Sequence, residues 1–119
     1  MDIQLKCSFP PYAKCVRSAR QELVVAGGRL HAVIDFGCSA VGDPACDTVI
    51  AWTFFSGAGR DRFRAALGRD AATWSRGRGW GLWKTLITLV ERLEADEHDE
   101  AARLRREIDT ILADHARYG

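Results

Sequence analysis

The run Val33-Ile34-Asp35-Phe36-Gly37-Cys38-Ser39-Ala40-Val41-Gly42-Asp43-Pro44-Ala45-Cys46-Asp47 restricts the possible folds of this 119-residue chain more than any other stretch. It opens on apolar, β-branched residues, as a strand end does. A carboxylate, Asp35, follows at the mouth of a turn, and Gly37 frees the backbone there. Asp43 is a good N-cap residue, and Pro44 suits the first helical position, where its missing N–H costs little. The stretch therefore predicts strand, turn and helix in that order, with Asp35 delivered at the strand end.

The flanking residues extend the pattern. Leu23-Val24-Val25, the pair Gly27-Gly28 and the return segment Arg29 to Ile34 predict a β-hairpin between Glu22 and Asp35. Leu30, Ala32 and Ile34 alternate with Arg29, His31 and Val33, so His31 is expected to face solvent or the partner strand. No second His or Cys stands near it at ligand spacing. A helix is expected from about Pro44 to Phe55. Ala45, Val49, Ile50, Trp52, Phe54 and Phe55 make most of its circumference apolar, which requires burial. Asp47, in its first turn, complements the helix dipole or buttresses the neighbouring loops.

After a break at Gly57–Gly59, Arg60 to Leu67 predicts a short amphipathic helix stopped by Gly68. Asp70 caps a long helix from Ala71 to about Glu94. Trp80, Trp83, Ile87, Val90 and Glu94 follow its period, and Leu82, Leu86 and Leu93 widen the stripe. Gly77, Gly79 and Gly81 each weaken that helix by about 1 kcal/mol relative to Ala, so close packing or a kink is expected there. The acidic run Asp96-Glu97-His98-Asp99-Glu100 starts a last helix, with Leu104, Ile108, Ile111 and Leu112 inward. The fold class is thus α+β and mostly helical, a β-hairpin followed by about four helices. Trp52, Phe55, Trp83, Ile87, Leu104, Ile108 and Ile111 are expected to share one core.

Composition narrows the function. Hydrophobic residues at 47% and charged residues at 28% describe a globular chain. A net charge of +1 gives no reason to expect nucleic acid as a partner. No apolar run is long enough to span a bilayer, and Lys6 with Pro10 and Pro11 spoils a signal-peptide reading, so a cytoplasmic location is the default. Cys7, Cys15, Cys38 and Cys46 contain no C-x-x-C spacing and are expected to be reduced and partly buried rather than zinc ligands. Residues 1–21 carry Lys6, Lys14, Arg17 and Arg20 without a period, and are expected to be an irregular basic segment ahead of one domain at 22–119.

A strand-end Asp followed by Phe-Gly is how kinase-type folds hold magnesium beside ATP phosphates. With Gly42-Asp43-Pro44-Ala45 and Asp47, that motif resembles the C-terminal part of the aminoglycoside phosphotransferase family. Ala51-Trp52-Thr53, Arg76-Gly77-Arg78-Gly79-Trp80, Leu82-Trp83-Lys84 and Leu112-Ala113-Asp114-His115 are similar to it too, so the likeness runs from about Leu23 to the C-terminus. The resemblance implies the C-terminal lobe of a kinase-like fold and a family reaction in which ATP and Mg2+ phosphorylate a hydroxyl of an aminoglycoside or other small molecule, a chemistry tied to antibiotic resistance. It implies Asp35 as the magnesium ligand, and Gly37, Asp43 and Asp47 as structural support of the site.

The chain also departs from that family. Counting back from Asp35, the family's catalytic loop His-Gly-Asp-x-x-x-x-Asn would place its His at Cys15, its catalytic Asp at Arg17 and its Asn at Glu22. A guanidinium stays protonated and cannot accept a substrate proton, and the chain contains no Asn. No glycine-rich nucleotide loop precedes the hairpin. The expectation is a truncated phosphotransferase-like chain, inactive alone, that either self-associates or lacks an N-terminal lobe. The alternatives are a small helical binding module, or half of a split enzyme whose other lobe is a separate chain.

Overall fold

A computed structural model describes residues 23–34 and 43–119. Strands β1 (Leu23–Ala26) and β2 (Arg29–Val33) form an antiparallel hairpin. Gly27 and Gly28 make its turn at φ +58° and +72°, a left-handed pair that other residues resist. The register pairs Val24 with Ala32 and Val25 with Leu30, so His31 is the extra residue of a bulge. It is exposed, as expected, but so are Leu30 and Ile34, so the alternation does not separate a buried face from an open one.

Asp43 then opens a 3-10 segment, Pro44–Val49, that runs directly into α1 (Ile50–Thr53). The expected single α-helix is thus tightened over its first half. Thr48 donates its hydroxyl to the Ala45 carbonyl at 2.7 Å, a local bond that competes with α-helical geometry. Helix α2 spans Gly57–Leu67 and begins three residues earlier than the glycines suggest. The Ser56 carbonyl accepts from Gly59 and Arg60, at 3.0 and 3.4 Å, and holds that first turn. Arg60 meanwhile donates to the Ala51 and Phe55 carbonyls, at 2.7 and 2.9 Å, and so satisfies the C-terminal end of α1. Gly68 ends α2 in the left-handed conformation, at φ +58°.

The long helix α3 (Ala71–Glu94) is capped by Asp70, whose Oδ1 accepts from the Thr73 amide at 2.7 Å. A short turn with Asp96 at φ +57° leads into α4 (His98–Tyr118), which carries Asp99 and Glu100 in its first turn. Arg92 pairs with Glu97 across that turn at 2.9 Å, and Arg103 pairs with Glu100 and Glu107 along α4. A hairpin followed by four helices is the architecture the sequence predicts.

The core forms where the 3-10 segment and α1 lie across α3 and α4. Ala51, Trp52, Trp74 and Ile111 are its centre, with Phe63 and Leu82 packed against them. Trp52 and Trp74 meet at 4.8 Å between ring centroids, within the range where aromatic pairs add to area burial. Of the seven residues expected to share a core, Trp52, Leu104 and Ile111 are buried, and Phe55 and Ile108 are half-buried. Trp83 and Ile87 are not part of it, being 39% and 42% exposed. Leu112 is exposed as well.

The reason lies in the glycines. Gly81 approaches Ile111, Trp52 and Val49, with a Cβ placed there meeting them at 3.5 to 3.9 Å. A Cβ at Gly77 would stand 1.8 Å from Thr48 Oγ1. Close backbone approach therefore fixes the inner face of α3 as Trp74, Gly77, Arg78, Gly81 and Thr85. Trp83 and Ile87 lie about half a helical turn away from it. Gly79, which faces open space, takes no part in the contact.

Candidate functional site

In sequence, the predicted site residues run from just after β2 into the 3-10 segment. Asp35 and Gly37, the expected magnesium ligand and its turn glycine, lie outside the described residues, as do residues 1–21 and Cys7, Cys15 and Cys38. Asp43 and Asp47 are described. Asp43 is the N-cap that the sequence predicts, with Oδ1 accepting from the Ala45 amide at 3.1 Å.

Its second partner is one the sequence did not reveal. Arg76 grips the same carboxylate with both arms of its guanidinium, Nε on Oδ2 at 3.0 Å and Nη2 on Oδ1 at 3.2 Å. The bidentate form fixes direction as well as distance. The Arg76 guanidinium first, then the Ala45 amide, hold the Asp43 carboxyl below its ordinary value of 3.8, and the Trp80 indole helps. Both oxygens of Asp43 thus accept hydrogen bonds from within the fold. The carboxylate ties the start of the 3-10 segment to α3.

The Arg76-Gly77-Arg78-Gly79-Trp80 run now has a physical account. Arg76 reaches Asp43, and Gly77 lets the 3-10 segment come close enough for that contact. Arg78, two residues on and therefore on a different side of α3, points to α4. There its Nη1 donates to Asp114 Oδ2 at 3.2 Å, with both side chains nearly fully buried. Trp74 Nε1 donates to the same oxygen at 3.1 Å. One carboxylate thus joins α4 to two side chains of α3. The pairs Arg76–Asp43 and Arg78–Asp114 span long stretches of sequence, and only the bias toward Arg and Gly in the run hinted at them.

Asp47 occupies the first turn of the 3-10 segment and is half-buried. Burial first, then the charges of Asp43 and Asp47, push the neighbouring Cys46 thiol up to about 11. Cys46 is a free, half-buried thiol that stays protonated at neutral pH and is a poor nucleophile or metal ligand. Among the described residues no three His, Cys, Asp or Glu side chains lie close enough together to hold a metal ion. None of the described helices is long and apolar enough to cross a membrane.

The profile of the phosphotransferase enzyme family matches residues 20–80. That range takes in the hairpin, the Asp35 turn, the Asp43 anchor and the arginine-glycine run of α3. It stops short of α4, and it begins after Cys15 and Arg17. No curated protein and no solved structure matches the chain.

Proposed function

This chain belongs to the phosphotransferase enzyme family, and on that premise we propose that it is the C-terminal, metal-side part of a small-molecule phosphotransferase and does not transfer phosphate alone. The family generally uses ATP and Mg2+ and acts on small molecules. In this reading Asp35 is the magnesium ligand, Gly37 shapes its turn, and the substrate is a hydroxyl compound of the aminoglycoside kind. Asp35 would hold magnesium, which would supply positive charge to offset that of the phosphates. Asp43, gripped by Arg76, and Asp47, in the first turn of the 3-10 segment, would support the site in this reading. The protein is cytoplasmic in this account.

The observation that carries the reading is the position of the family match against the residues before it. The match covers the Asp35 turn but starts at residue 20. Ahead of it Arg17 stands where a proton acceptor is needed, and a guanidinium cannot take that proton. Phosphoryl transfer depends on positioning nucleotide, metal and hydroxyl together. Mg2+ keeps several waters and leans on substrate phosphates as co-ligands, so one carboxylate holds it weakly.

The test is calorimetric titration of the full chain with MgATP. No binding tighter than about 1 mM, only about −4 kcal/mol, is expected. Saturable micromolar binding lost in Asp35→Ala would overturn the proposal of an incomplete site. Reading the upstream DNA in three frames then separates the origins. An out-of-frame catalytic loop marks a gene fragment, a separate intact lobe marks a split enzyme, and neither marks a binding module.

A further inference from the structure

Helix α2 is attached differently from the helices around it. Alone among the described helices it contains no buried residue. Three side chains hold it in place. Phe63 packs against the Ala51-Trp52-Trp74-Ile111 centre and stacks on Phe55, 4.9 Å between ring centroids. Arg60 ties its start to the Ala51 and Phe55 carbonyls. Arg64, one turn on, reaches both long helices. Its guanidinium carbon lies 3.9 Å from the centre of the Tyr118 ring, at the end of α4, and 5.0 Å from that of Trp74, near the start of α3. Trp74 is buried and Tyr118 is 38% exposed, so one cation bridges a core ring and a surface ring through their negative faces. Arg117 also approaches Tyr118, at 4.9 Å, but from within α4.

Both ends of α2 are free to turn. Gly57 opens it at φ +46° and Gly68 closes it at φ +58°, and a Cβ at either would meet nothing within 4 Å among the described residues. Left-handed glycines in open space absorb a change of backbone direction at little cost. A helix of 11 residues is marginal in water without tertiary contacts. Once Phe63 and Arg64 leave the core, α2 therefore melts as it departs. Helices α3 and α4 meanwhile keep the Gly81–Ile111 contact and the Arg78–Asp114 pair between them. An element with so little buried surface opens locally, without global unfolding.

We propose that α2 is a detachable strap, which opens as one unit between Gly57 and Gly68 and is latched shut by Arg64 between Trp74 and Tyr118. Opening uncovers the Trp52–Trp74 centre that Phe63 packs against, and leaves α3 and α4 folded. The device is a property of the fold and holds whether or not the chain transfers phosphate.

Native-state hydrogen exchange on the full chain, read by mass spectrometry, tests it. In wild type, amides 61–67 should exchange together, ahead of amides 77–85 in α3 but slower than in an unfolded peptide. Arg64→Gln keeps helix propensity and removes the cation, and Tyr118→Ala removes the outer ring. Each should speed exchange of amides 61–67 about two- to fivefold, the worth of an exposed cation–π contact, with amides 77–85 unchanged. Tyr118→Phe keeps the ring face and should match wild type. Wild-type amides 61–67 that are as slow as 77–85, or wholly unprotected, would overturn the proposal. So would variants that leave α2 exchange unchanged, or that speed α2 and α3 equally.

Discussion

Replacing Asp114 with Ala removes one acceptor that two buried donors share. Arg78 is 5% exposed, and its guanidinium would be left in the interior with no counter-charge. Removing one partner of such a buried pair costs about 3–5 kcal/mol. Trp74 Nε1, 2% exposed as a residue, would lose its acceptor as well, a loss of about 1–3 kcal/mol when taken alone. The two penalties share one oxygen and do not add fully, so about 4 kcal/mol is the expected total. Small domains have only about 5–15 kcal/mol to lose. With a urea slope of about 2 kcal/mol/M for a chain this size, the unfolding midpoint should fall by about 2 M at unchanged slope. The companion variant Arg78→Met with Asp114→Leu deletes both charges and should recover about half of that loss, since an apolar pair of similar volume is often no worse than the ion pair, while Trp74 Nε1 still lacks its acceptor. An Asp114→Ala midpoint within about 0.3 M of wild type, read on the same slope, would refute the reasoning. A double variant as unstable as the single one would refute it equally.

The glycines of α3 offer a matched contrast. Gly79→Ala, in open space, should stabilise by about 0.5–1 kcal/mol through helix propensity. Gly77→Ala should destabilise by about 1–3 kcal/mol, because its Cβ would drive Thr48 and the Ala45 carbonyl outward; denaturant midpoints for the two variants check the signs. The Asp43–Arg76 pair makes a pH prediction. The Asp43 carboxyl is held below 3.8, chiefly by Arg76, so its contribution to stability is complete above that pH and is lost as the pH falls through the lowered value. Wild type should therefore shed more stability below pH 3.8 than Arg76→Gln does, and thermal melts of both proteins from pH 6 to 2.5 measure the difference.

Local chemistry was legible in the sequence, and long-range choice was not. Asp43-Pro44, Asp70, Gly68 and Gly27-Gly28 each act through neighbouring backbone, so a cap or a turn could be read from a few residues. The inner face of α3 could not. Its C-terminal half has apolar residues all round, and the period through Trp83 and Ile87 looks as good as the one through Trp74, Gly81 and Thr85. The choice between them was made by backbone approach at Gly77 and Gly81, which depends on what lies opposite. The start of α2 was missed for a related reason. Glycine propensity argues for a break at Gly57–Gly59, but the Ser56 carbonyl and the Arg60 guanidinium organise that turn. At the site, the motif around Asp35 pointed to the family. That Asp43 is a clamp on α3 emerged only with Arg76 beside it, a residue distant in sequence.

The central proposal is that this member of the phosphotransferase enzyme family does not transfer phosphate alone. Transfer of labelled γ-phosphate from ATP to a panel of aminoglycosides, with magnesium present and Asp35→Ala as the control, tests it most directly. A missing general base alone removes about 10²–10⁴-fold in rate, and loss of nucleotide positioning removes more. The account predicts no transfer above background by either protein. Transfer by wild type that Asp35→Ala abolishes would contradict it.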